Sequence, residues 1–195
     1  MIYCLMGKSA SGKDTVYREL LSREEGRLTR IVPYTTRPIR EGEQEGREYH
    51  FTDEAGMNAL KSEGRVIESR VYHTVHGDWY YFTVDDGIEA GEKDYLLIGT
   101  LEVYNKIRDY YGDEKVCPLF LSIDDGERLS RALGRERQQK NPRYAELCRR
   151  FLADEQDFSA EKIEAAGITE QYDNSDLEAC LEEILRKIRS DRREG

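Results

Sequence analysis

The stretch Ile2-Tyr3-Cys4-Leu5-Met6-Gly7-Lys8-Ser9-Ala10-Ser11-Gly12-Lys13-Asp14 decides how the rest of the chain is read. A short apolar strand runs directly into a glycine-bounded loop with the spacing G-x-x-x-x-G-K, and the residues from Asp14 onward read as helix. Glycine permits the positive φ that such a tight turn needs. The turn aims backbone N–H groups inward at an anion, and the start of the following helix adds the positive end of its dipole. Lys13 meets terminal phosphates as a point charge. Strand, loop and helix in this order predict a nucleoside triphosphate site built from Gly7, Ser9, Ala10, Ser11, Gly12, Lys13, Asp14 and Thr15.

The loop departs from the full pattern at its last position. A hydroxyl residue would hold magnesium there, and Asp14 stands in its place with Thr15 next. Two readings stand side by side. In one, Asp14 is a first-turn acid favoured by the helix dipole. In the other it holds Mg2+, directly or through water, while Thr15 bonds a phosphate; a carboxylate is a sound ligand for that hard cation. Without the metal the carboxylate would repel the triphosphate.

With 195 residues, of which 38% are hydrophobic, the chain reads as one domain able to bury an adequate core. Its net charge of −10 argues against affinity for nucleic acid or anionic membranes, so anionic substrates must be gathered by local Arg and Lys clusters. Cys4, Cys117, Cys148 and Cys180 are scattered without a C-x-x-C pair and read as reduced, mostly structural thiols of a cytoplasmic protein. Met1 opens the first strand almost at once, leaving no room for a signal peptide, and no apolar run reaches membrane-spanning length.

Read onward, residues 14–25 predict a helix stopped by Gly26, and 28–34 a strand ending in the basic turn Thr35–Arg40. Short strands at 49–51, 66–68 and 79–82, with a helix near 53–63, predict a small, mostly antiparallel insertion rich in tyrosine. Then αβ alternation returns: strand 95–99, helix 101–111, strand 119–123, helix from Asp124, a basic turn at 134–142 and a long polar helix from 143 to about 165. A last strand falls near 168–173. The final helix starts at Ser175, which with Glu178 matches a capping box, and carries the apolar stripe Leu177, Leu181, Ile184, Leu185, Ile188. Strands separated by helices imply a parallel sheet flanked by helices, with ligands at the strands' carboxyl ends.

The insertion points to a family. Thr35-Thr36-Arg37-Pro38-Ile39-Arg40-Glu41-Gly42-Glu43, then Gly46-Arg47-Glu48-Tyr49-His50-Phe51, then Val66-Ile67-Glu68 resemble the T-T-R-x-x-R-x-G-E, G-x-x-Y-x-F and F-I-E segments of the guanylate kinase family in order and spacing. With the phosphate loop and an arginine-bearing lid, the similarity spans most of the chain. It implies a single α/β domain over 1–195: a P-loop kinase core (1–34 and 84–195), an acceptor-binding insertion (35–83) and a short lid (about 134–149). It also implies ATP as phosphoryl donor, Mg2+, and GMP as acceptor, small-molecule nucleotides being the partners. The oligomeric state is left open.

The resemblance gives roles to side chains whose chemistry suits them. Arg37 and Arg40 offer planar charged forks for the acceptor phosphate, and Tyr49 and Tyr81 add phenolic hydroxyls. Glu68 faces guanine, whose N1–H and 2-amino group one carboxylate accepts together; adenine has an acceptor at N1 and leaves the carboxylate unpaired. Thr83 corresponds to the hydroxyl that donates to guanine O6. Around the transferring phosphoryl group, Lys13, Arg131, Arg135 and Arg150 supply the charge that phosphoryl transfer needs, with Arg137 just beyond. Asn174 corresponds to a position beside the adenine of ATP.

Several positions depart from the family pattern. Ile98-Gly99-Thr100 stands where the family has D-x-D, Pro33 replaces a serine, Phe82 replaces the glycine after the second tyrosine, and the segment Tyr72–Asp78 is longer. These changes read as surrounding the acceptor base, with Asp14 a candidate for part of the missing acid. His73 and His76, with no Cys or third histidine beside them, read as a mobile loop and not a metal pair. The acidic stretches 41–48 and 153–164 read as solvated faces. Three functions stay open: a guanylate kinase, a P-loop kinase for another small phosphorylated acceptor, and a binding module that has lost catalysis.

Overall fold

The computed structural model describes residues 1–74 and 77–194. Its centre is β1 (Ile2–Gly7), buried at every position. The strand is flanked in parallel by β7 (Asp94–Ile98) and β8 (Val116–Ser122), and these by the edge strands β2 (Leu28–Arg30) and β9 (Gln171–Asp173). A strand covered on both faces needs apolar residues at every position, which is why Ile2 to Met6 do not alternate. Its side chains still divide by the period of two: Ile2, Cys4 and Met6 enter one core layer, Tyr3 and Leu5 the other. The first layer is closed by α3 (Leu101–Tyr111) and by α6 (Ala160–Ala165) with the loop after it; the second by α1 (Lys13–Arg23) and α7 (Leu177–Glu194). Cys4, Cys117 and Cys180 are buried thiols of these layers; Cys148 is exposed.

A second sheet, in the order β4-β3-β6-β5, sits between β2 and β7 in the chain. It comprises β3 (Tyr34–Thr35), β4 (His50–Phe51), β5 (Val66–Thr74) and β6 (Gly77–Val84), with α2 (Glu54–Ser62) capped at Asp53. Only β3 and β4 run parallel, so the expected mostly antiparallel insertion is present. Phe82 stacks on Tyr34 with ring centroids 5.4 Å apart and joins Met57 and Val84 in a small core on one face. Thr35, Arg70 and Tyr81, opposite one another across three strands, share the other face.

Local expectations needed correction in several places. The strand expected over 28–34 is two, because the chain leaves the first sheet after Arg30 and enters the second at Tyr34. Gly134 does not end a helix: α4 runs Asp125–Arg137. The long helix expected from 143 is α5 (Tyr144–Asp157) followed by α6, broken where Phe158 turns into the core and Ser159 caps the new helix. At the last helix Asp176, not Ser175, accepts the Ala179 N–H at 3.0 Å; Ser175 is tied back to Asp173, so the capping box does not form. His73 lies in β5, its ring 2.7 Å from Asp78, and His76 lies outside the described residues.

Charge closes the domain at the amino ends of the strands. The Glu24 carboxylate, 1% exposed, accepts from Arg189 at 2.9 Å and Arg192 at 2.5 Å, and Arg192 also pairs with Asp94, which holds the Met1 amine at 3.1 Å. Burial raises the Glu24 carboxyl, but the hydrogen bonds from Arg192 and Arg189 outweigh it and hold the group below its ordinary value. The folded state therefore holds this proton more weakly than the unfolded chain. Its stabilisation is complete above the ordinary carboxylate range and is lost as pH falls through and below it. Glu24→Gln is expected to cost about 2 kcal/mol near neutral pH, less than the roughly 3–5 kcal/mol of a fully buried pair because both arginines reach solvent. Urea midpoints at about pH 7 and about pH 3.5 check this, the gap between variant and wild type closing at the lower pH.

Candidate active site: a phosphate loop facing an arginine-tyrosine lobe

The loop after β1 is shaped by lack of room. A Cβ at Gly7 (φ +152) would lie 2.7 Å from the Leu121 carbonyl oxygen and 2.9 Å from Ser11 Oγ; one at Gly12 (φ +92) would lie 2.3 Å from Asn174 Nδ2. Ala10 adopts φ +65, alone among described non-glycine residues in the left-handed region. Lys13 donates to the carbonyls of Gly7 at 2.7 Å and Lys8 at 3.1 Å, which folds its ammonium into the loop. Burial lowers its pKa, with Arg135 and Arg128 acting in the same direction and Asp14 and Asp154 opposing.

Asn174 is 3% exposed and donates to the Ser11 carbonyl at 2.7 Å, while its own carbonyl accepts from Arg131 at 3.2 Å. It braces the loop from beneath. Ser9, expected to meet the nucleotide, gives its N–H (2.8 Å) and hydroxyl (3.2 Å) to Asp154. Lys8 is held by Glu155 at 2.7 Å, and the buried Arg128 binds Asp125, Asp154 and Glu155 while lying 3.9 Å over the Phe151 ring. Part of the acidic stretch 153–164 is therefore a clasp joining α5 to the phosphate loop, not a solvated face. Asp14 and Thr15 open α1, with the Asp14 residue exposed. Among the described residues no three His, Cys, Asp or Glu side chains gather as a metal cluster.

The lid arginines separate in role. Arg131 pairs with Glu127 at 3.0 Å and reaches Asn174, so it is tied to the loop's underside. Arg135 and Arg150 line a recess between α4 and α5 together with Ser9 and Arg128. Arg150 is half-exposed and only 3.6 Å from Glu146.

In the second sheet the expected acceptor residues do come together, with unexpected partners. Arg37 is 3% exposed and lies against the rings of Tyr49 and Phe51, 5.0 and 5.5 Å from their centroids. Its guanidinium donates to Tyr81 Oη (3.1 Å), the Pro38 carbonyl (3.0 Å) and both oxygens of Glu43 (2.7 and 2.6 Å). Four of its five N–H groups are thus engaged, and the Arg37 fork holds the Glu43 carboxyl down to about 2. Glu43 was expected on a solvated acidic stretch. Arg40 is exposed, 6.0 Å over the Trp79 ring. Burial raises the Tyr49 hydroxyl, Tyr81 adds to it, and Arg37 and Arg70 pull it back.

A bulge between Val66 and Glu68 turns Glu68 opposite Thr83 on the acceptor face. The Thr83 hydroxyl donates to Glu68 Oε1 at 2.7 Å, so the donor expected for guanine O6 is already used. Arg70 Nε donates to Glu68 Oε2 at 3.1 Å. Two of the departing positions are also placed differently. Phe82 points to the opposite face, into the core of the insertion, and Thr100 accepts the Val103 N–H at 3.4 Å as the N-cap of α3. The residues that sequence reasoning missed are Lys8, Arg128, Asp154, Glu155, Glu43 and Arg70. Each acts through a partner brought close by the fold or by a turn, and a charged side chain in a charged stretch carries no local mark of it.

Residues 1–95 match a family model described as guanylate kinase. The guanylate kinase of Bordetella pertussis is 30% identical over 158 residues, covering 78% of this chain and 67% of the relative. That of Anaplasma phagocytophilum is 30% identical over 139 residues, covering 68% and 62%. The chain thus spans about two thirds of the length of these curated relatives. The crystal structure of guanylate kinase from Anaplasma phagocytophilum superimposes with a TM-score of 0.64 at 25% identity, covering 98% of this chain and 85% of that one. With that core fold, a glycine-bounded phosphate loop and the arginine-tyrosine lobe in register, the chain belongs to the guanylate kinase family of P-loop kinases.

Proposed function

We propose that this protein moves the γ-phosphoryl group of ATP to a nucleoside monophosphate, GMP, yielding ADP and GDP, in the cytoplasm. The observation that carries the reading is the combination of two anion sites in one domain: the amide-lined loop with Lys13, and the cluster of Arg37, Arg40, Tyr49 and Tyr81 beside the buried Glu68. The loop amides and Lys13 hold the donor's phosphates. Arg40 and the two tyrosine hydroxyls receive the acceptor phosphate, with Arg37 behind them as a buried positive charge. Arg135 and Arg150, in the recess beside Ser9, neutralise charge that develops on the transferring group. Glu68 accepts the N1–H and 2-amino group of guanine on the lone pairs that Thr83 and Arg70 leave.

The exposed carboxylate of Asp14 at the first turn of α1 fits Mg2+, which is commonly bound by one or two carboxylates plus substrate phosphates without a dedicated protein cage. Asp14 would hold it, directly or through water, while the Thr15 hydroxyl bonds a phosphate, and the ion would supply neutralisation of phosphate charge. A second reading, another small phosphorylated acceptor, rests on Ile98 and Thr100 standing where the family pattern has two acids.

A coupled ADP-release assay with GMP, dGMP, AMP, CMP and UMP decides between them: turnover with GMP and dGMP alone supports the proposal, and turnover confined to any other acceptor refutes it. Lys13→Met is expected to lower kcat by about 100- to 1,000-fold, as loss of one preorganised charge does. Arg40→Met, at an exposed side chain, raises KM for GMP by about 10- to 100-fold while ATP binding by calorimetry stays unchanged. Asp14→Asn raises the magnesium concentration needed for half-maximal rate; an unaltered titration removes Asp14 from the metal site.

A further inference from the structure

The long hairpin of β5 and β6 carries a row of residues along its acceptor face: Glu68 opposite Thr83, then Arg70 opposite Tyr81. Thr83 has one hydroxyl proton and gives it to Glu68. A guanine whose N1–H and 2-amino group meet Glu68 therefore brings an O6 acceptor for which Thr83 has no donor left. An unpaired acceptor in a buried site costs affinity.

Arg70 is the neighbouring group with donors to give. It is partly buried, its side chain 21% exposed, and among the described residues Glu68 is its one hydrogen-bond partner, taken through Nε. That bond leaves the Nη groups uncommitted. It also fixes the plane of the guanidinium against the carboxylate and balances the buried charge of Glu68. A carboxylate and a guanidinium held side by side present acceptors and donors in the order of guanine's edge. The fork of arginine is the side chain that meets O6 and N7 together.

We infer that Arg70 is a specificity-determining residue of the acceptor site, donating from its Nη groups to guanine O6 beside the Glu68 carboxylate. The inference rests on the proposed GMP reading. Arg70 then serves two ends: it orients the Glu68 carboxylate, and it replaces the hydroxyl that Glu68 has taken.

The test compares GMP with 6-thio-GMP, which keeps N1–H and the 2-amino group but exchanges O6 for a weak sulfur acceptor, in wild type and Arg70→Met. The expected result is a loss of kcat/KM for GMP of about 10- to 100-fold, carried by KM, and collapse of the wild-type preference for GMP over 6-thio-GMP. ATP affinity by calorimetry stays unchanged, which reports an intact core. If Arg70→Met does not fold, Arg70→Lys, which keeps the charge beside Glu68 but not the fork, is put through the same comparison with the same expected loss of preference. Equal losses for both nucleotides, or an undiminished preference, overturn the assignment while leaving the GMP reading in place. A wild-type protein that neither binds nor phosphorylates GMP overturns both.

Discussion

The closeness of the phosphate loop to one backbone carbonyl and one buried side-chain amide governs the rest of this structure. Gly7 lies against the Leu121 carbonyl and Gly12 against the Asn174 amide at distances that no Cβ tolerates. These contacts lock the loop to β8 and to the segment after β9, the two elements on its flank of the sheet. The loop is therefore held in place by its neighbours, and the sheet order with β1 at the centre is what brings those neighbours together. Asn174 belongs to this constraint. Its amide donates to Ser11 and its carbonyl anchors Arg131, so the start of the lid and the floor of the loop share one buried residue.

Charge is arranged around that frame by local compensation. The chain carries a net charge of −10, yet its site is meant for anions. Several cations near the site are matched to an internal acceptor: Lys13 to the loop carbonyls, Lys8 and Arg128 to the α5 carboxylates, Arg37 to Glu43, Arg70 to Glu68. Pairing of this kind lets guanidinium groups sit almost fully buried, where a lone charge would not be stable.

How much of this was legible in the sequence follows from the range of the interactions. The loop and the parallel sheet were readable because Gly7, Gly12 and Lys13 and the apolar run Ile2–Met6 act within a few residues of one another, and the insertion because its Arg, Tyr and Glu positions keep the order and spacing of family segments. Helix ends were less legible. Asp176 competes with Ser175 for the same cap, and Gly134, tolerated inside α4, looks like a terminator on paper. The clasp of Asp154 and Glu155 on the loop was not legible, since it joins residues about 145 positions apart. Nor was the bond from Thr83 to Glu68, which depends on a single bulge at Ile67 that shifts the register of β5 against β6.

The departures from the family pattern have a physical sense in packing. The bulge sets Val66 opposite Val84 at the small core of the insertion and Glu68 opposite Thr83 on the other face. Phe82 alternates with Tyr81 along β6 and enters the same core with Met57. Phe82 is thus spent on packing the insertion, where a glycine would leave the Tyr34 ring without its stacked partner. Thr100 is likewise spent on the cap of α3. With these positions committed to folding, the polar side chains left along that face of β5 and β6 are Glu68, Thr83, Arg70 and Tyr81. The strand end at Ile98 serves the sheet.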